Sequence, residues 1–517
     1  MVTPVLDAFI HPIGFGIFAA WWIATLYCVS LCQRHPNIPV ENRAWYNLLV
    51  LLTGPWGMAV ILTRFRYPAH DAAAQEYRDQ VEGGPVMRWL KRILGLQRAE
   101  PAQHTVIELC TADGKPVHQL DARYGKRGKQ DDSESLTRIK NLLLDAVEAR
   151  VTDVLLDPRS EDQYSVRFRI DGMLEEVEQI GAEMAHNMLN CLKIASRMDI
   201  AERRRPQDGS FMIKLPQLPI NCRMATAGTL RGPKAAVRIL DRRVGLKPVT
   251  DLGLSRKDME RMLIAANRKS GMILICGPTG SGKTTTLYAL LNQFDATSRN
   301  IVTVEDPIEY PIEHATQTEV NERANITFAN VMRAMLRQNP DVILVGEVRD
   351  NETAELALQA SNTGHLVLST VHGNDSSAAL LRLSDLGVPP RRLAGAITAV
   401  LSQRLVRRLC PECKTRTQLS EAQFDIAREH GMTSDEVYKP VGCNDCRDTG
   451  FHGREGIFEL LFVNRAVDSV LTQDPTLAEL RDAAIEAGMM PMFHHGLQKV
   501  ASGLTTFDEI ERVCGAE

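Results

Sequence analysis

Eight residues near the middle of the chain carry the strongest chemical pattern in this sequence. They read GPTGSGKT and fit the spacing G-x-x-x-x-G-K-[ST] of a phosphate-binding loop. Glycines let such a loop curl so that its N–H groups face a phosphate, and the following helix start adds partial positive charge. Lys283 is expected to reach the β/γ-phosphates, and Thr284 to hold Mg²⁺. The residues that we assign to the nucleotide from this segment are Gly277, Pro278, Thr279, Gly280, Ser281, Gly282, Lys283, Thr284 and Thr285.

The residues on either side of this loop predict the elements that hold it. An apolar run at residues 272–276 predicts a buried strand, and the residues after the loop predict the start of a helix. A plain glycine-rich turn is the alternative, but chance rarely supplies the strand and the helix as well.

A group of carboxylates follows the next predicted strand. Residues 301–304 form a β-branched run, and the sequence EDPIE comes directly after it. Acidic side chains at the end of a strand can face Mg²⁺ and an attacking water molecule. Glu305, Asp306 and Glu309 are the candidates for that position.

A single glutamate follows the third predicted strand, residues 342–345. Many phosphate-loop enzymes have an Asp that supports Mg²⁺ one position earlier, where this chain has Gly346. We therefore assign to Glu347 the orientation or deprotonation of water, with indirect contact to Mg²⁺ through its waters.

Two histidines bracket the fourth predicted strand, residues 366–369. His365 and His372 could sense or hold a γ-phosphate, although a structural role is the commoner one for a single histidine. Strands that alternate with helices predict a parallel sheet, and the loop and the carboxylates would meet at its carboxyl edge.

Two C-x-x-C pairs lie about 30 residues apart, Cys410 with Cys413 and Cys443 with Cys446. Four thiolates at this spacing suit tetrahedral Zn²⁺, and a site without an open position is structural. A redox pair is the competing interpretation, but a repeated C-x-x-C favours a metal.

The segment before the loop, residues 136–245, predicts a small α+β domain, the middle domain, because helical and antiparallel strand patterns alternate there. Its arginines have two interpretations, as solvated surface charges or as groups that reach a neighbouring subunit's nucleotide. They are Arg203, Arg204, Arg205, Arg223 and Arg238.

Two uncharged apolar stretches near the amino terminus, residues 8–33 and 44–63, are long enough to cross a bilayer. They predict a transmembrane hairpin with both termini in the cytoplasm, and residues 67–135 then form a juxtamembrane linker. A buried helical hairpin of a soluble domain, or one span with an interfacial helix, are the alternatives.

The composition of the chain limits the classes of partner. Its 517 residues suffice for about three domains. A net charge of −4 and an aromatic content of 5% give no reason to expect nucleic-acid binding.

Several motifs follow one another in an order that resembles one known family. They are GPTGSGKTTTLY from residue 277, TVEDPIEY from residue 303, LRQNPDVILVGEVRD from residue 336, TGHLVLSTVHGND from residue 363 and GCNDCRDTGFHGREGIFELL from residue 442. The resemblance covers about residues 136–514. It is to the secretion ATPases of type II secretion and type IV pilus assembly, of the GspE/PilB kind.

This resemblance implies an ATPase that assembles as a homohexameric ring of two-lobed subunits. The fold class is α/β, with a RecA-like motor domain at residues 246–517, the preceding α+β domain, a zinc-binding insertion at about 405–460 and a helical tail. The cofactors would be ATP, Mg²⁺ and Zn²⁺. The partners would be an inner-membrane platform protein and pilin-like subunits, at the cytoplasmic face of the inner membrane.

The resemblance also implies roles for individual residues. Glu347 corresponds to the catalytic acidic residue, supported by Glu305, Asp306 and Glu309, and the histidines are those of the family's His box. Arg223 and Arg238 correspond to arginines that contact phosphate from the middle domain.

The chain departs from the family pattern at a few positions. Ser210 stands where many relatives have Arg after the QDG turn, and residues 151–158 read VTDVLLDP in place of ASDIHIEP. The family's usual soluble amino-terminal domain is not recognisable, and the two apolar stretches stand in its place.

We expect a membrane-anchored ATPase that drives assembly of pilin-like subunits. A traffic ATPase for DNA uptake is one alternative. A catalytically silent nucleotide-binding scaffold is another, although the intact Lys283, Thr284 and Glu347 argue against it.

Overall fold

The computed structural model describes residues 107–120, 130–216, 219–295 and 297–515, with residues 25, 29, 46, 47, 50 and 51 as isolated positions. The chain divides into two units, Met1–Thr105 and Val106–Glu517. The predicted membrane segments, 8–33 and 44–63, lie almost entirely outside the described residues. Among the residues that are described, no helix combines the length and the apolar character needed to cross a membrane.

An antiparallel sheet forms the first part of the second unit. Its strands are β1 (Glu108–Thr111), β2 (Asp153–Pro158), β3 (Gln163–Ile170), β4 (Met173–Gly181), β5 (Gln207–Lys214), β6 (Ile220–Thr229) and β7 (Gly232–Leu240). They lie in the order β1-β5-β6-β7-β2-β3-β4. The helices of this part are α1 (Val117–Leu120), α2 (Gln130–Glu148) and α3 (Ala182–Ala195).

Helix α2 packs its apolar side into the core of this domain. Ile139, Leu142, Leu143 and Ala146 are buried and recur at helical spacing, so one stripe of the helix faces the core. This part of the chain thus combines helices with an antiparallel sheet.

Strand β1 comes from the segment that the sequence predicts as a linker. It pairs antiparallel with β5, with Leu109 opposite Ile213, and Ile107 and Leu109 are buried. The strand is short and isolated in sequence, so its pattern is hard to recognise without the partner strand.

A second sheet follows in the chain. The remaining strands are β8 (Gly271–Cys276), β9 (Ile301–Glu305), β10 (Thr316–Glu319), β11 (Val342–Val345), β12 (Leu366–Val371), β13 (Ile397–Leu409), β14 (Thr415–Gln418), β15 (Glu436–Lys439) and β16 (Phe451–Phe462). The sheet order is β10-β9-β11-β12-β8-β13-β16, parallel except for the antiparallel pair β13–β16. Strands β14 and β15 pair only with each other.

Helices cover both faces of this second sheet. Along β8, Met272 and Leu274 enter one hydrophobic core while Ile273 and Ile275 enter another. A strand buried on both faces is typical of parallel α/β sheets, so the predicted α/β fold is confirmed. The helices in this part of the chain, including one in the cysteine-containing segment, are α4 (Arg242–Gly245), α5 (Arg256–Ala266), α6 (Lys283–Leu291), α7 (Phe328–Met335), α8 (Asn351–Asn362), α9 (Ser376–Asp385), α10 (Pro390–Leu393), α11 (Glu421–Glu429), α12 (Arg465–Leu471), α13 (Leu477–Glu486), α14 (Met492–Ala501) and α15 (Phe507–Cys514).

The cysteine-containing segment lies between two paired strands. It leaves the sheet after β13 and returns at β16, and it contains α11 and the β14–β15 ribbon. Helices α14 and α15 pack beside it through a core that joins Val406 and Ile457 to Phe493 and Phe507. The carboxyl-terminal part of the described chain is therefore helical.

Candidate nucleotide site and cysteine cluster

The glycine-rich loop joins the end of β8 to the start of α6. The loop packs closely against β13. A Cβ atom added to Gly277 would lie only 2.5 Å from the Gln403 carbonyl oxygen, so the backbone approaches too closely for a larger residue. Gly282 has a φ of +88°, and a Cβ added to it would lie 3.1 Å from the side-chain Nε2 of Gln403. Both positions require glycine, one for close approach and one for its left-handed backbone. Residues 278–280 remain exposed at the carboxyl edge of the sheet.

Lys283 lies at the first position of α6. Its ammonium donates hydrogen bonds to the carbonyl oxygens of Gly277 at 2.9 Å and Pro278 at 3.0 Å. Burial lowers the pKa of Lys283, and the carboxylates of Glu347 and Glu309 act in the opposite direction. The sequence-predicted lysine and these two carboxylates are therefore electrostatic neighbours.

Glu347 follows the end of β11 and lies between an arginine and a histidine. The Arg349 guanidinium forms an ion pair with it, and His372 Nε2 lies 3.7 Å from its second oxygen. Arg349 also reaches Asp306, with 3.3 Å between Nη1 and Oδ2. The predicted residues Glu347, Asp306 and His372 are thus brought together.

Glu305 has different surroundings from the other predicted carboxylates. Its side chain is 4% exposed and accepts hydrogen bonds from the Thr303 hydroxyl at 2.6 Å and the Gln317 amide at 3.0 Å. The Tyr288 hydroxyl of α6 donates a third hydrogen bond. This carboxylate is engaged by the protein interior, in contrast to the expected contact with Mg²⁺ and water.

Glu309 faces the middle domain. Burial raises the pKa of its carboxyl group, while Arg223 and Arg238 act in the opposite direction. Arg223 donates to the Ile308 carbonyl oxygen at 2.7 Å, across the boundary between the two sheets. Arg238 pairs with Asp153 of its own domain at 3.0 Å. Both arginines thus lie near the acidic segment, although their present partners are protein groups.

His365 lies at the opposite edge of the sheet from the loop. Its carbonyl oxygen accepts from the N–H of Gly271, the first residue of β8, whereas the loop follows the last residue, Cys276. The two ends are five residue spacings apart along β8, a distance of about 17 Å. The structure therefore does not bring this predicted histidine to the site, because it precedes β12 while His372 follows that strand.

Two residues of the site were not identified from the sequence. Arg349 pairs with Glu347, and its place two residues after the predicted glutamate was the available signal. Gln403 contacts the loop from β13, more than 100 residues further along the chain. Its local sequence, LSQRLV, carries no pattern that indicates this contact.

The four predicted cysteines converge in one cluster, with their sulfur atoms within 4.8 Å of one another. The separation of the Sγ atoms is 3.8 Å for Cys410 and Cys443, 3.8 Å for Cys413 and Cys446, and 3.7 Å for Cys443 and Cys446. Sulfurs bound to Zn²⁺ at about 2.3 Å in a tetrahedron lie about 3.8 Å apart, whereas a disulfide requires about 2.0 Å. The cluster therefore fits a zinc ion.

Backbone donors surround these sulfurs. The N–H of Gly442 lies 3.3 Å from Cys413 Sγ, and that of Gly450 lies 3.2 Å from Cys446 Sγ. Such N–H groups stabilise thiolates and orient them, as hydrogen-bond donors around a bound metal usually do. The donor set thus suits a structural ion.

The strand that leaves the cysteine cluster also contacts the middle domain. The N–H of Gly453 donates to the Asp171 carboxylate at 2.8 Å, and Arg150 Nη1 lies 3.0 Å from His452 Nδ1. The turn at Asp171 and the end of α2 therefore touch the segment that follows the last two cysteines.

A parallel sheet with a glycine-rich loop at its carboxyl edge is the arrangement of α/β nucleotide-binding proteins. A family model described as type II/IV secretion system protein matches residues 129–512, and the chain belongs to this family of secretion ATPases. The predicted family resemblance is thereby confirmed.

Three individual proteins of secretion and pilus systems are similar to this chain. The chain is 40% identical over 390 residues to type II secretion system protein E of Pseudomonas aeruginosa, covering 75% of this chain and 77% of that protein. It is 39% identical over 388 residues to putative type II secretion system protein E of Escherichia coli strain K12, covering 75% and 78%. It is 38% identical over 392 residues to type IV pilus assembly ATPase PilB of Acinetobacter baylyi, covering 74% and 67%.

Two solved structures have a similar fold. The pilus retraction motor PilT with bound ADP has a TM-score of 0.51 and 26% identity, covering 72% of this chain and 95% of that chain. The Legionella pneumophila ATPase DotB has a TM-score of 0.55 over 73% and 95%, and at 16% identity it shows the fold alone.

Proposed function

We propose that this chain is a hexameric ATPase that hydrolyses ATP to drive assembly or export of pilin-like subunits. Family membership supports the ATPase class. The observation that carries the catalytic assignment is the grouping of Lys283, Glu347 and His372 beside the glycine-rich loop.

The residues of the loop would bind the nucleotide. Its backbone N–H groups and Lys283 would hold the phosphates, and Thr284 would hold Mg²⁺, which neutralises charge on the phosphates when bound. Thr285, Asp306 and Glu309 complete this proposed binding set. Glu347 would orient or deprotonate the attacking water, since its carboxylate is only partly buried and faces the same side as Lys283.

Neighbouring residues would support this chemistry. His372 Nε2 lies 3.7 Å from the Glu347 carboxylate, and we assign His372 to the γ-phosphate side of the site. Glu305 would act by positioning, because its buried contacts fix β9 against α6. His365 is left out of this proposal, because it lies at the other end of β12.

The middle domain would close the site. Arg223 and Arg238 lie near Glu309, and a movement of the antiparallel sheet would bring them to the anionic ligand in this proposal. Zn²⁺ at Cys410, Cys413, Cys443 and Cys446 would act as a structural ion with no open position.

We further propose that the chain is anchored at the cytoplasmic face of the inner membrane by residues 8–33 and 44–63 and contacts a platform protein there. The support is their uncharged length. A truncated variant that begins at Val106, and so retains β1, should leave the membrane fraction. Equal membrane binding of the variant and the full chain would overturn the anchor.

A phosphate-release assay on the full chain in lipid nanodiscs tests the ATPase. Glu347→Gln should abolish turnover and leave ATP binding nearly unchanged, whereas Lys283→Ala should abolish binding. Glu486→Gln, on the exposed end of α13, is the matched control and should retain full turnover. Full turnover in the Glu347 variant would contradict the catalytic role.

The same assay separates the alternative functions. A nucleotide-binding scaffold would bind ATP without releasing phosphate in the unmodified chain. A DNA-uptake ATPase would release phosphate, and deletion of the chain would then abolish competence without affecting secretion.

A further inference from the structure

Gln403 is a buried polar side chain that connects β13 to the glycine-rich loop. Its side chain is 2% exposed, and its amide nitrogen donates to the Ser281 carbonyl oxygen at 2.6 Å. Its amide oxygen accepts from the Thr286 hydroxyl at 2.8 Å. A carbonyl oxygen can only accept, so the nitrogen of the amide must face Ser281 and the orientation of the side chain is defined.

The hydrogen bond to Ser281 fixes a peptide group of the loop. The Ser281 carbonyl and the Gly282 N–H belong to the same planar trans peptide, so they point in opposite directions. Because Gln403 holds the carbonyl oxygen toward β13, the Gly282 N–H points away from β13. In the described part of the chain, this N–H has no protein acceptor.

We propose that Gln403 is a positioning residue that aims the Gly282 N–H at a phosphate of the bound nucleotide. Backbone N–H groups of such a loop hold the α/β-phosphates, so ADP and ATP should depend on this contact to the same degree. The inference rests on the proposed nucleotide-binding function and adds a residue from a distant strand to it.

The next residue of β13 contacts a second segment near the proposed phosphate position. Arg404 donates to the Asn374 carbonyl oxygen at 2.7 Å, in the segment that follows His372. Consecutive residues of β13 therefore contact the two segments that flank the proposed phosphate position, the loop after β8 and the residues after β12.

Two near-isosteric substitutions of Gln403 test the role. Gln403→Met removes both hydrogen bonds, whereas Gln403→Glu keeps an acceptor for Thr286 and loses the donor to Ser281. We expect both to weaken binding of a fluorescent ADP and a fluorescent ATP by about tenfold, the effect of one lost hydrogen bond to a charged ligand. Thr286→Val removes only the other hydrogen bond and should weaken binding by less than about threefold.

Controls separate positioning from general damage. Arg408→Ala changes an exposed residue of the same strand and should bind nucleotide normally. A melting temperature is measured for every variant, and a structural role alone predicts a loss of stability without weaker binding in the folded fraction. If both Gln403 variants fail to fold, Thr286→Val still decides, since a tenfold loss there would overturn the proposal.

The same measurements distinguish a wrong role for Gln403 from a wrong nucleotide site. If Lys283→Ala loses nucleotide while the Gln403 variants bind as tightly as the unmodified chain, Gln403 has no positioning role and the nucleotide site stands. If Lys283→Ala binds ADP and ATP normally, the nucleotide site itself is wrong.

Discussion

The Glu347 carboxylate and the Arg349 guanidinium form an ion pair at the carboxyl end of β11. The same guanidinium reaches Asp306 after β9, with 3.3 Å between the nearest atoms. Arg349 therefore joins the ends of two neighbouring strands and restrains the carboxylate that we assign to the attacking water. Its guanidinium is exposed on one side, so it can change partners without rearrangement of the core.

Removal of this ion pair should affect the chemical step. We expect Arg349→Ala to lower kcat by about tenfold with little change in KM, because a misplaced base loses rate without losing bound nucleotide. Arg349→Lys should restore part of the rate. Arg392→Ala breaks a surface ion pair with Glu355 and is the matched control. An unchanged kcat in the Arg349 variant would contradict the positioning role.

The burial of Glu305 leads to a prediction about stability. Glu305→Gln places an amide where three donors now converge, so at least one donor loses its partner, at a cost of about 2 kcal/mol. We expect a lower melting temperature and measurable turnover in the folded protein. Abolished turnover at an unchanged melting temperature would show that Glu305 acts in catalysis directly.

The cysteine cluster predicts a defined metal content. The unmodified chain should contain about one zinc per subunit by elemental analysis, and Cys443→Ser with Cys446→Ser should release it. Loss of the ion should also lower the melting temperature. Cys514→Ser, outside the cluster, should keep the zinc. Equal zinc in the double variant would refute the metal site.

The ion-paired Glu509 carboxylate should make the free energy of unfolding depend on pH. Burial would raise the pKa of its carboxyl group, but hydrogen bonds from Arg512 and Arg407 outweigh this effect and lower the pKa to about 2. The folded pKa is below the ordinary value of 4.5, so this stabilisation is complete above pH 4.5 and is lost as the pH falls toward 2. This stabilisation amounts to about 3 kcal/mol of the free energy of unfolding.

Glu509→Gln tests this linkage by thermal melting. The variant should melt at a lower temperature than the unmodified chain at pH 7, and the difference should narrow below pH 4.5. Glu511→Gln, on the same helix, is the control. A difference that does not depend on pH would show that the carboxylate charge contributes nothing.

The sequence predicted those parts of the site whose signals are local. The glycine spacing around Lys283 and the two C-x-x-C pairs are short patterns with one main physical interpretation, and the fold places both as expected. The strand before the loop was also predictable, because its apolar run has to be buried on both faces.

The remaining features depend on contacts between distant residues. A carboxylate after a strand can turn toward the ligand or toward a neighbouring helix, and only the packing of Tyr288 decides this for Glu305. The position of His365 depends on which end of β12 it occupies. Gln403 could not be predicted, since its partners Ser281 and Thr286 lie more than 100 residues earlier in the chain.

Strand β13 continues from Gln403 to Leu409, directly before Cys410, and its pairing with β16 is irregular between Arg407 and Leu409. Those seven residues span about 23 Å in an extended strand, and pairing with β16 makes them stiff. One strand therefore connects the residue that contacts the glycine-rich loop to the residue that precedes the cysteine cluster. The two predicted sites are joined by a single β-strand and not by a series of loops.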